Sequence, residues 1–156
     1  MVKLNQNYIK LVVRNALKED LNSSGDVTTK LISNNKNIII AKIIAKQNGV
    51  IAGLSFCSYA FKLIDKKARF FAKIKDGAKV KKGQVVALIQ AKVGAILTAE
   101  RTALNFLSHT SGIATFTNKF VKKIRFQTKI CCTRKTTPNL RLLEKYAVKV
   151  GGGFNH

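Results

Sequence analysis

The stretch IRFQTKICCTRKTTPNLRLLEKYAVKVGGGFNH, residues 124–156, places a strand-like run before two adjacent bases, a proline and a helical pattern that ends in three glycines. It predicts a strand over 124–133 and a helix over Leu140–Val150, with Pro138 between them and Gly151 at the helix end. These elements form one βα unit. Because a parallel strand normally needs further strands beside it to bury both of its faces, we expect this unit to start an α/β layer without completing it.

The residues just before this unit predict a long helix, or two collinear ones, over 100–124. Gly112 lies in its middle, so a kink or a break is expected there. Because small side chains let backbones approach closely, the helix is expected to link two domains or to pack against a partner subunit. The pattern consists of a stripe of large residues, Phe106, Ile113, Phe116, Phe120 and Ile124, beside a stripe of smaller ones, Ala103, Leu107, Thr110 and Ala114.

Residues 1–95 predict an α+β unit in which helices pack on a sheet. A second, short helix is predicted over 55–64, and the polar segment 19–29 between the first helix and the sheet is predicted to be a loop around Gly25. The first helix is indicated by apolar residues at helical spacing, namely Ile9, Val12, Val13, Ala16 and Leu17, and the second turns Phe56, Tyr59, Ala60 and Leu63 inward.

Two segments of this unit predict strands. Residues 37–54 are rich in β-branched side chains and carry Asn48–Gly49 between two apolar runs, which predicts an antiparallel hairpin. Residues 69–91 predict further strands with turns at Asp76–Gly77 and Lys82–Gly83. That segment is also somewhat similar to the hairpin of biotinyl and lipoyl carrier domains, but their lysine flanked by methionine is absent, so a plain structural hairpin is favoured.

The charge of the chain has two equal interpretations, a preference for anionic ligands or a background composition in which Lys fills exposed positions. There are 29 Lys and Arg residues against 7 Asp and Glu, a formal net charge of +22, which favours attraction to anionic substrates or polyanions. No run reaches five or six like charges, so a basic tail is not indicated. The three cysteines are an odd number and are interpreted as reduced. With no apolar span and no signal-peptide pattern, we expect a cytoplasmic protein without a membrane partner.

Arg134 and Lys135 are the strongest candidates for ligand binding. They directly follow the predicted strand, and in α/β architectures ligands lie in the loops after the carboxyl ends of strands. Arginine offers a planar fork for a carboxylate or phosphate, and lysine adds a point charge. Thr133, Thr136 and Thr137 add hydroxyl donors. The alternative is that these bases only cover the surface of a basic protein.

Other candidates carry a weaker signal. The glycines at 151–153 allow a ligand to approach the backbone, although a flexible helix end is the more common role of such a run. His156 could bind an anion when protonated. Arg101 would otherwise form a surface pair with Glu100, and His109 would be a polar residue on a helix face. No zinc-type spacing of Cys and His and no Ser-His-Asp set is present.

Four segments resemble, in this order, motifs of the quinolinate phosphoribosyltransferase family, also called nicotinate-nucleotide pyrophosphorylase (carboxylating). They are ALKEDLNSSGDVTT (16–29), AERTALNFLSHTSGIAT (99–115), TRKTTPNLRLLEKYAV (133–148) and GGGFNH (151–156). The resemblance implies an enzyme of NAD synthesis that joins quinolinate to phosphoribosyl pyrophosphate with Mg²⁺ and releases pyrophosphate and carbon dioxide. It also implies an α/β fold, with an α+β sandwich domain and linking helix at 1–115 and the start of an incomplete α/β barrel at 116–156.

The resemblance further implies roles for particular residues. Arg134, Lys135 and His156 would bind the quinolinate carboxylates, and Arg101 would reach into the active site of the partner subunit in a homodimer or higher homo-oligomer. Cys132 and Asn139 stand where the family motif usually has Asp and Gly.

Family members continue beyond the motif that ends at His156, with further substrate-contacting bases and with acidic residues that bind metal. We therefore expect an incomplete enzyme, with its Mg²⁺ ligands beyond the sequence given, unless another polypeptide supplies the remaining strands. A non-catalytic dimerisation module or a non-specific polyanion- or nucleic-acid-binding module is the alternative.

Overall fold

The computed structural model describes residues 4–22, 37–124 and 128–156, so the predicted loop at 19–29 lies mostly outside the described residues. Its helices and strands bear out the mixed α and β class predicted from the sequence. The elements in chain order are α1 Gln6–Leu21, β1 Ile38–Ile44, β2 Gly49–Val50, α2 Leu54–Ile64, β3 Arg69–Ala72, β4 Lys79–Val80, β5 Val85–Lys92, α3 Val93–Lys123 and α4 Arg141–Val150. Among these helices, none combines the length and apolar character needed to cross a bilayer.

The strands form two antiparallel sheets, one in the order β1-β5-β3 and one that pairs β2 with β4. The hairpin predicted at Asn48–Gly49 is therefore wrong, because β1 pairs with β5 and not with β2. Asn48 accepts a hydrogen bond from the Lys82 backbone N–H at 2.9 Å, and Thr115 accepts one from the Val50 N–H at 2.8 Å. These bonds turn the chain toward β4 and α3. The turns predicted around Gly77 and Gly83 are confirmed, with φ of +90° and +85°.

The core lies between the larger sheet and the helices α1, α2 and α3. The predicted inward faces are confirmed: Ile9, Val13 and Leu17 of α1 are buried, as are Phe56 and Ala60 of α2. Phe56 stacks on Phe106 of α3 with 5.4 Å between ring centroids. Such aromatic pairs add to the burial of apolar area, so α2 is fixed against the long helix.

The long helix α3 is continuous over 31 residues, so the predicted break at Gly112 is wrong. Its small-residue stripe faces the core, where the Thr110 hydroxyl oxygen lies 2.5 Å from the Ala52 carbonyl oxygen and 2.6 Å from that of Phe106 and can donate its one hydrogen to either. Of the large-residue stripe, Phe116 and Phe120 stay exposed and form an edge-to-face pair with centroids 4.9 Å apart. The helix therefore uses small side chains to approach β2 and the backbone of Ala52.

The C-terminal unit has its helix as predicted, but the described part of the predicted strand at 124–133 forms a single bridge. Residues 125–127 lie outside the described residues, and from 128 onward the structure has one parallel bridge, between Cys131 and Phe154. Among the described residues, this bridge is the one rung of a parallel ladder that the segment forms. The helix α4 spans Arg141–Val150 and ends at Gly151, whose N–H bonds the Ala147 carbonyl at 3.0 Å.

Candidate functional site

The bridge between Cys131 and Phe154 joins the two segments that carry Arg134, Lys135 and His156. Two backbone bonds make it: the Phe154 N–H donates to the Ile130 carbonyl at 2.8 Å, and the Cys132 N–H donates to the Phe154 carbonyl at 2.9 Å. Because the two segments run parallel, both leave the bridge in the same direction. His156, two residues beyond one side of the bridge, therefore lies beside the start of the segment that carries Arg134 and Lys135.

His156 is held at this edge through its backbone. Its N–H donates to the Cys132 sulfur at 3.4 Å, and its carbonyl accepts from the Lys145 ammonium at 3.2 Å. The Cys132 thiol in turn contacts the Asn155 side-chain oxygen at 3.7 Å. Cys132, at the position where the family motif usually has Asp, thus acts as an anchor for the segment that ends in His156.

The loop over residues 133–140 has a defined backbone, whereas its two bases are exposed. The Lys135 N–H donates to the Thr133 hydroxyl at 3.1 Å, and the Thr136 N–H donates to the Arg134 carbonyl at 3.0 Å. Asn139 has a φ of +66°, a left-handed conformation that favours glycine and that asparagine tolerates. The loop therefore presents a guanidinium and an ammonium from a shaped backbone.

Glu144 joins this loop to two helices. It lies in the first turn of α4, and its Oε2 accepts a hydrogen bond from the Thr137 N–H at 3.2 Å. Its Oε1 lies 3.3 Å from Nε2 of His109 on α3. The side chain is only 14% exposed. Sequence reasoning missed Glu144, because no local pattern links it to a histidine 35 residues away.

The three glycines have a packing role that the sequence did not indicate. A Cβ built on Gly151 would lie 2.5 Å from the Ala114 carbonyl oxygen of α3, and one on Gly153 would lie 2.9 Å from a Thr117 methyl. Gly152 has a φ of +92°. The three glycines thus pack closely against the long helix. They connect the end of α4 to the bridge at Phe154.

Arg101 belongs to a different surface from the loop. Its guanidinium pairs with Asp20 of α1 at 3.0 Å, not with Glu100, and its side chain remains 74% exposed. A cavity of about 680 Å³ lies beside this pair and reaches the loop at Thr137 and Leu140. The bridge therefore places the segment that carries Arg134 and Lys135 beside the segment that ends in His156, whereas Arg101 lies on the helix surface.

No metal site is formed by the part of the chain that the structure describes, where no three His, Cys, Asp or Glu residues cluster as ligands. The loop after the bridge presents cations, which repel a divalent metal ion. These residues do not fit Mg²⁺, so no chemical step is assigned to it here.

Two family models match the chain, the quinolinate phosphoribosyl transferase N-terminal domain over residues 26–111 and its C-terminal domain over residues 113–156. A probable nicotinate-nucleotide pyrophosphorylase (carboxylating) of Bacillus subtilis is 40% identical over 98% of this chain and 53% of its own length. The enzyme of that name from Mycobacterium leprae is 41% identical over 92% of this chain and 52% of its own. The chain spans about half the length of these curated relatives.

The fold is similar to solved structures across the same span. The crystal structure of NadC from Streptococcus pyogenes superposes with a TM-score of 0.95 at 42% identity, and the match covers 100% of this chain and 55% of that one. The nicotinate-nucleotide pyrophosphorylase of Francisella tularensis superposes with a TM-score of 0.93 at 38% identity, covering 99% of this chain and 54% of that one.

Proposed function

We propose that this chain, which belongs to the quinolinate phosphoribosyltransferase family, forms a quinolinate-binding part of an enzyme of NAD synthesis. The proposed reaction transfers a phosphoribosyl group from phosphoribosyl pyrophosphate to quinolinate with decarboxylation, giving nicotinate mononucleotide, pyrophosphate and carbon dioxide. The observation that carries the proposal is the parallel bridge between Cys131 and Phe154. It supports a common site for Arg134, Lys135 and His156.

The chemistry of quinolinate suits this edge. Its two adjacent carboxylates repel each other, and a guanidinium fork with an ammonium beside it offsets that repulsion through charge-assisted hydrogen bonds. The backbone bonds of Lys135 and Thr136 shape the loop in advance, so binding does not first have to order it. His156, when protonated, would add a third cation on the same side.

The partners of this site are part of the proposal. We propose a homodimer or higher homo-oligomer in which Arg101 reaches the site of a second copy. Its 74% exposed side chain supports that reach, because Asp20 contacts only one terminal nitrogen of the guanidinium. We also propose Mg²⁺ as the cofactor of the phosphoribosyl transfer, held by groups other than the described residues of this chain, and the cytoplasm as the location.

Calorimetric titration of the purified chain with quinolinate tests the proposal. Arg134→Ala and Lys135→Ala should each weaken binding about tenfold or more, because a hydrogen bond between charged groups contributes roughly 1.5–3 kcal/mol. Arg69→Ala and Lys66→Ala, which remove the same charges from exposed positions elsewhere, should leave the affinity unchanged. Nicotinate, which has one carboxylate, should bind more weakly than quinolinate.

Two outcomes would contradict the proposal. Equal loss of affinity in the site variants and in Arg69→Ala and Lys66→Ala would indicate a general charge effect. Binding to any DNA sequence with steep salt dependence and without competition by quinolinate would instead favour the polyanion-binding module, a function that the net charge of +22 permits.

A further inference from the structure

We propose that Glu144 is a positioning residue that holds the 133–140 loop in its ligand-binding conformation by fixing it to α3. This inference rests on the proposed function, because it takes the bases of the loop as ligand contacts. The relevant juxtaposition is that of the Glu144 carboxylate with the Thr137 backbone on one side and the His109 ring on the other.

The carboxylate bridges three elements with two oxygens. Oε2 accepts from the Thr137 N–H at 3.2 Å and Oε1 contacts His109 Nε2 at 3.3 Å, while the Glu144 backbone N–H bonds the Leu140 carbonyl at 3.0 Å. The Glu144 side chain is 14% exposed and that of His109 is 44% exposed, so the carboxylate is mostly covered while its contact with the histidine remains open to water on the His109 side. The position in the first turn of α4 also suits an acid, since helix N-termini favour negative charge.

The other bonds of the loop set its shape but not its place. The Lys135 and Thr136 amides bond to Thr133 and Arg134, two residues back, and the Arg141 Nε donates to the Thr136 hydroxyl five residues away at 3.1 Å. The contact between Glu144 and His109 spans 35 residues and reaches the long helix. It therefore couples the loop to the core-forming part of the chain.

Both oxygens of Glu144 are directed to these partners. The carboxylate thus fixes the loop without an ion pair to Arg134 or Lys135 among the described contacts, and the two bases keep their charge for a ligand. If this placement matters, loss of the acceptor should release the Thr137 amide and reduce affinity for a dicarboxylate, even though Glu144 does not touch the ligand.

Two readouts on the same variants test the proposal: amide hydrogen exchange at Thr137, measured by NMR, and calorimetric titration with quinolinate. Glu144→Ala should speed Thr137 exchange at least tenfold and weaken quinolinate binding about tenfold. Glu144→Gln keeps an acceptor oxygen and should restore most of both, which a simple charge effect would not allow. Glu19→Gln, which changes an acid of α1 in the cavity that His109 and Thr137 also line, is the matched control and should change neither readout.

The outcomes separate this inference from the proposed function. If the wild-type chain binds no quinolinate, the proposed function fails, and the exchange rate of the Thr137 amide alone tests the positioning role of Glu144. Faster exchange in Glu144→Ala but not in Glu19→Gln supports that role. Equal exchange in the two variants overturns it. If Glu144→Ala does not fold, His109→Ala carries the test, because loss of the anchor on α3 should also speed Thr137 exchange. Unchanged exchange there, or a glutamine variant as impaired as the alanine variant, would overturn the proposal.

Discussion

The Tyr146 phenol of α4 donates a 2.5 Å hydrogen bond to Oδ2 of Asp76, in the turn before β4. The same carboxylate accepts the backbone N–H groups of Gly53 at 2.9 Å and Leu54 at 3.2 Å, at the start of α2. It therefore satisfies two of the amides that a helix leaves unpaired at its N-terminus. Through Asp76, the helix that follows the candidate loop is joined to the start of α2 and the turn before β4.

Tyr146→Phe should destabilise the chain, because it removes only the hydroxyl and leaves the half-buried carboxylate of Asp76 with one donor fewer. Hydrogen bonds to charged groups contribute roughly 1.5–3 kcal/mol, so a loss of about 2 kcal/mol in the free energy of unfolding is expected. Urea denaturation measures it. Tyr59→Phe removes a hydroxyl from a half-buried ring of α2 and serves as the control, with an expected change near zero. Equal stability of the two variants would mean that the bond to Asp76 is not formed in solution.

Alkaline pH should destabilise the fold through three groups, the buried thiol of Cys57 and the half-buried phenols of Tyr8 and Tyr146. Burial raises the pKa of the Cys57 thiol to about 12 from an ordinary value of 9.0. Burial, the hydrogen bond to Asp76 and the charge of Asp76 raise the pKa of Tyr146, and burial raises that of Tyr8. In the unfolded chain these groups lose their protons at lower pH than in the folded chain. Rising pH therefore stabilises the unfolded state relative to the folded state and lowers the free energy of unfolding.

The stability of the chain should therefore be unaffected by these groups below about pH 9 and should fall as the pH rises from 9 toward 12. Urea denaturation at intervals from pH 8 to 11 measures the slope. Tyr146→Phe should start less stable and show a shallower slope, because one of the three groups is gone. A flat profile above pH 9 in the wild-type chain would contradict the burial of these groups.

Local patterns predicted the helices well because each is amphipathic over its own length. The inward residues of α1 and α2, the end of α4 at Gly151 and the turns at Gly77 and Gly83 all follow from spacing and backbone preference. Strand pairing was not local in this sense. The turn signal at Asn48–Gly49 was overruled because β1 finds its partner in β5, more than forty residues on, over the whole length of the strand.

In the candidate site, too, some residues could be predicted from the sequence whereas their contacts could not. Arg134 and Lys135 could be found because they follow a strand-like run, and the resemblance added His156 and Arg101. The contacts of these residues could not be predicted from the sequence, because the pairs are far apart along the chain. Asp20 and Arg101 are 81 residues apart, and Glu144 and His109 are 35 residues apart. The contact of Gly151 and Gly153 with α3 is also tertiary, and in the sequence such a run is indistinguishable from a flexible helix end.

Two glycine substitutions should have opposite effects on stability. Gly112 is exposed in the middle of α3, and a Cβ there would meet nothing within 4 Å, so Gly112→Ala should stabilise the chain by about 0.5–1 kcal/mol through helix propensity. Gly151→Ala should destabilise it by about 2 kcal/mol, because its Cβ would lie 2.5 Å from the Ala114 carbonyl oxygen and push α4 away from α3. Thermal unfolding of the pair measures both, and a stabilising Gly151→Ala would contradict the close packing of α4 on α3.

The three thiols should differ in reactivity. Cys57 has no exposed surface and a pKa near 12, so at pH 8 only about one molecule in ten thousand carries the reactive thiolate. Cys131 is exposed and Cys132 is half-buried. Titration of the native chain with a disulfide reagent at pH 8 should therefore modify two thiols, and the third should react only after denaturant is added.

Quinolinate should slow the modification of Cys132 and not that of Cys131. The Cys132 sulfur accepts the His156 N–H and contacts Asn155, so a ligand held by His156 and Arg134 would cover it, whereas the exposed Cys131 has no such contact among those described. The modification rate of each thiol is measured separately, that of Cys132 in the variant Cys131→Ser and that of Cys131 in the variant Cys132→Ser. If saturating quinolinate protects both thiols equally or neither, the ligand does not bind at the edge next to the bridge between Cys131 and Phe154.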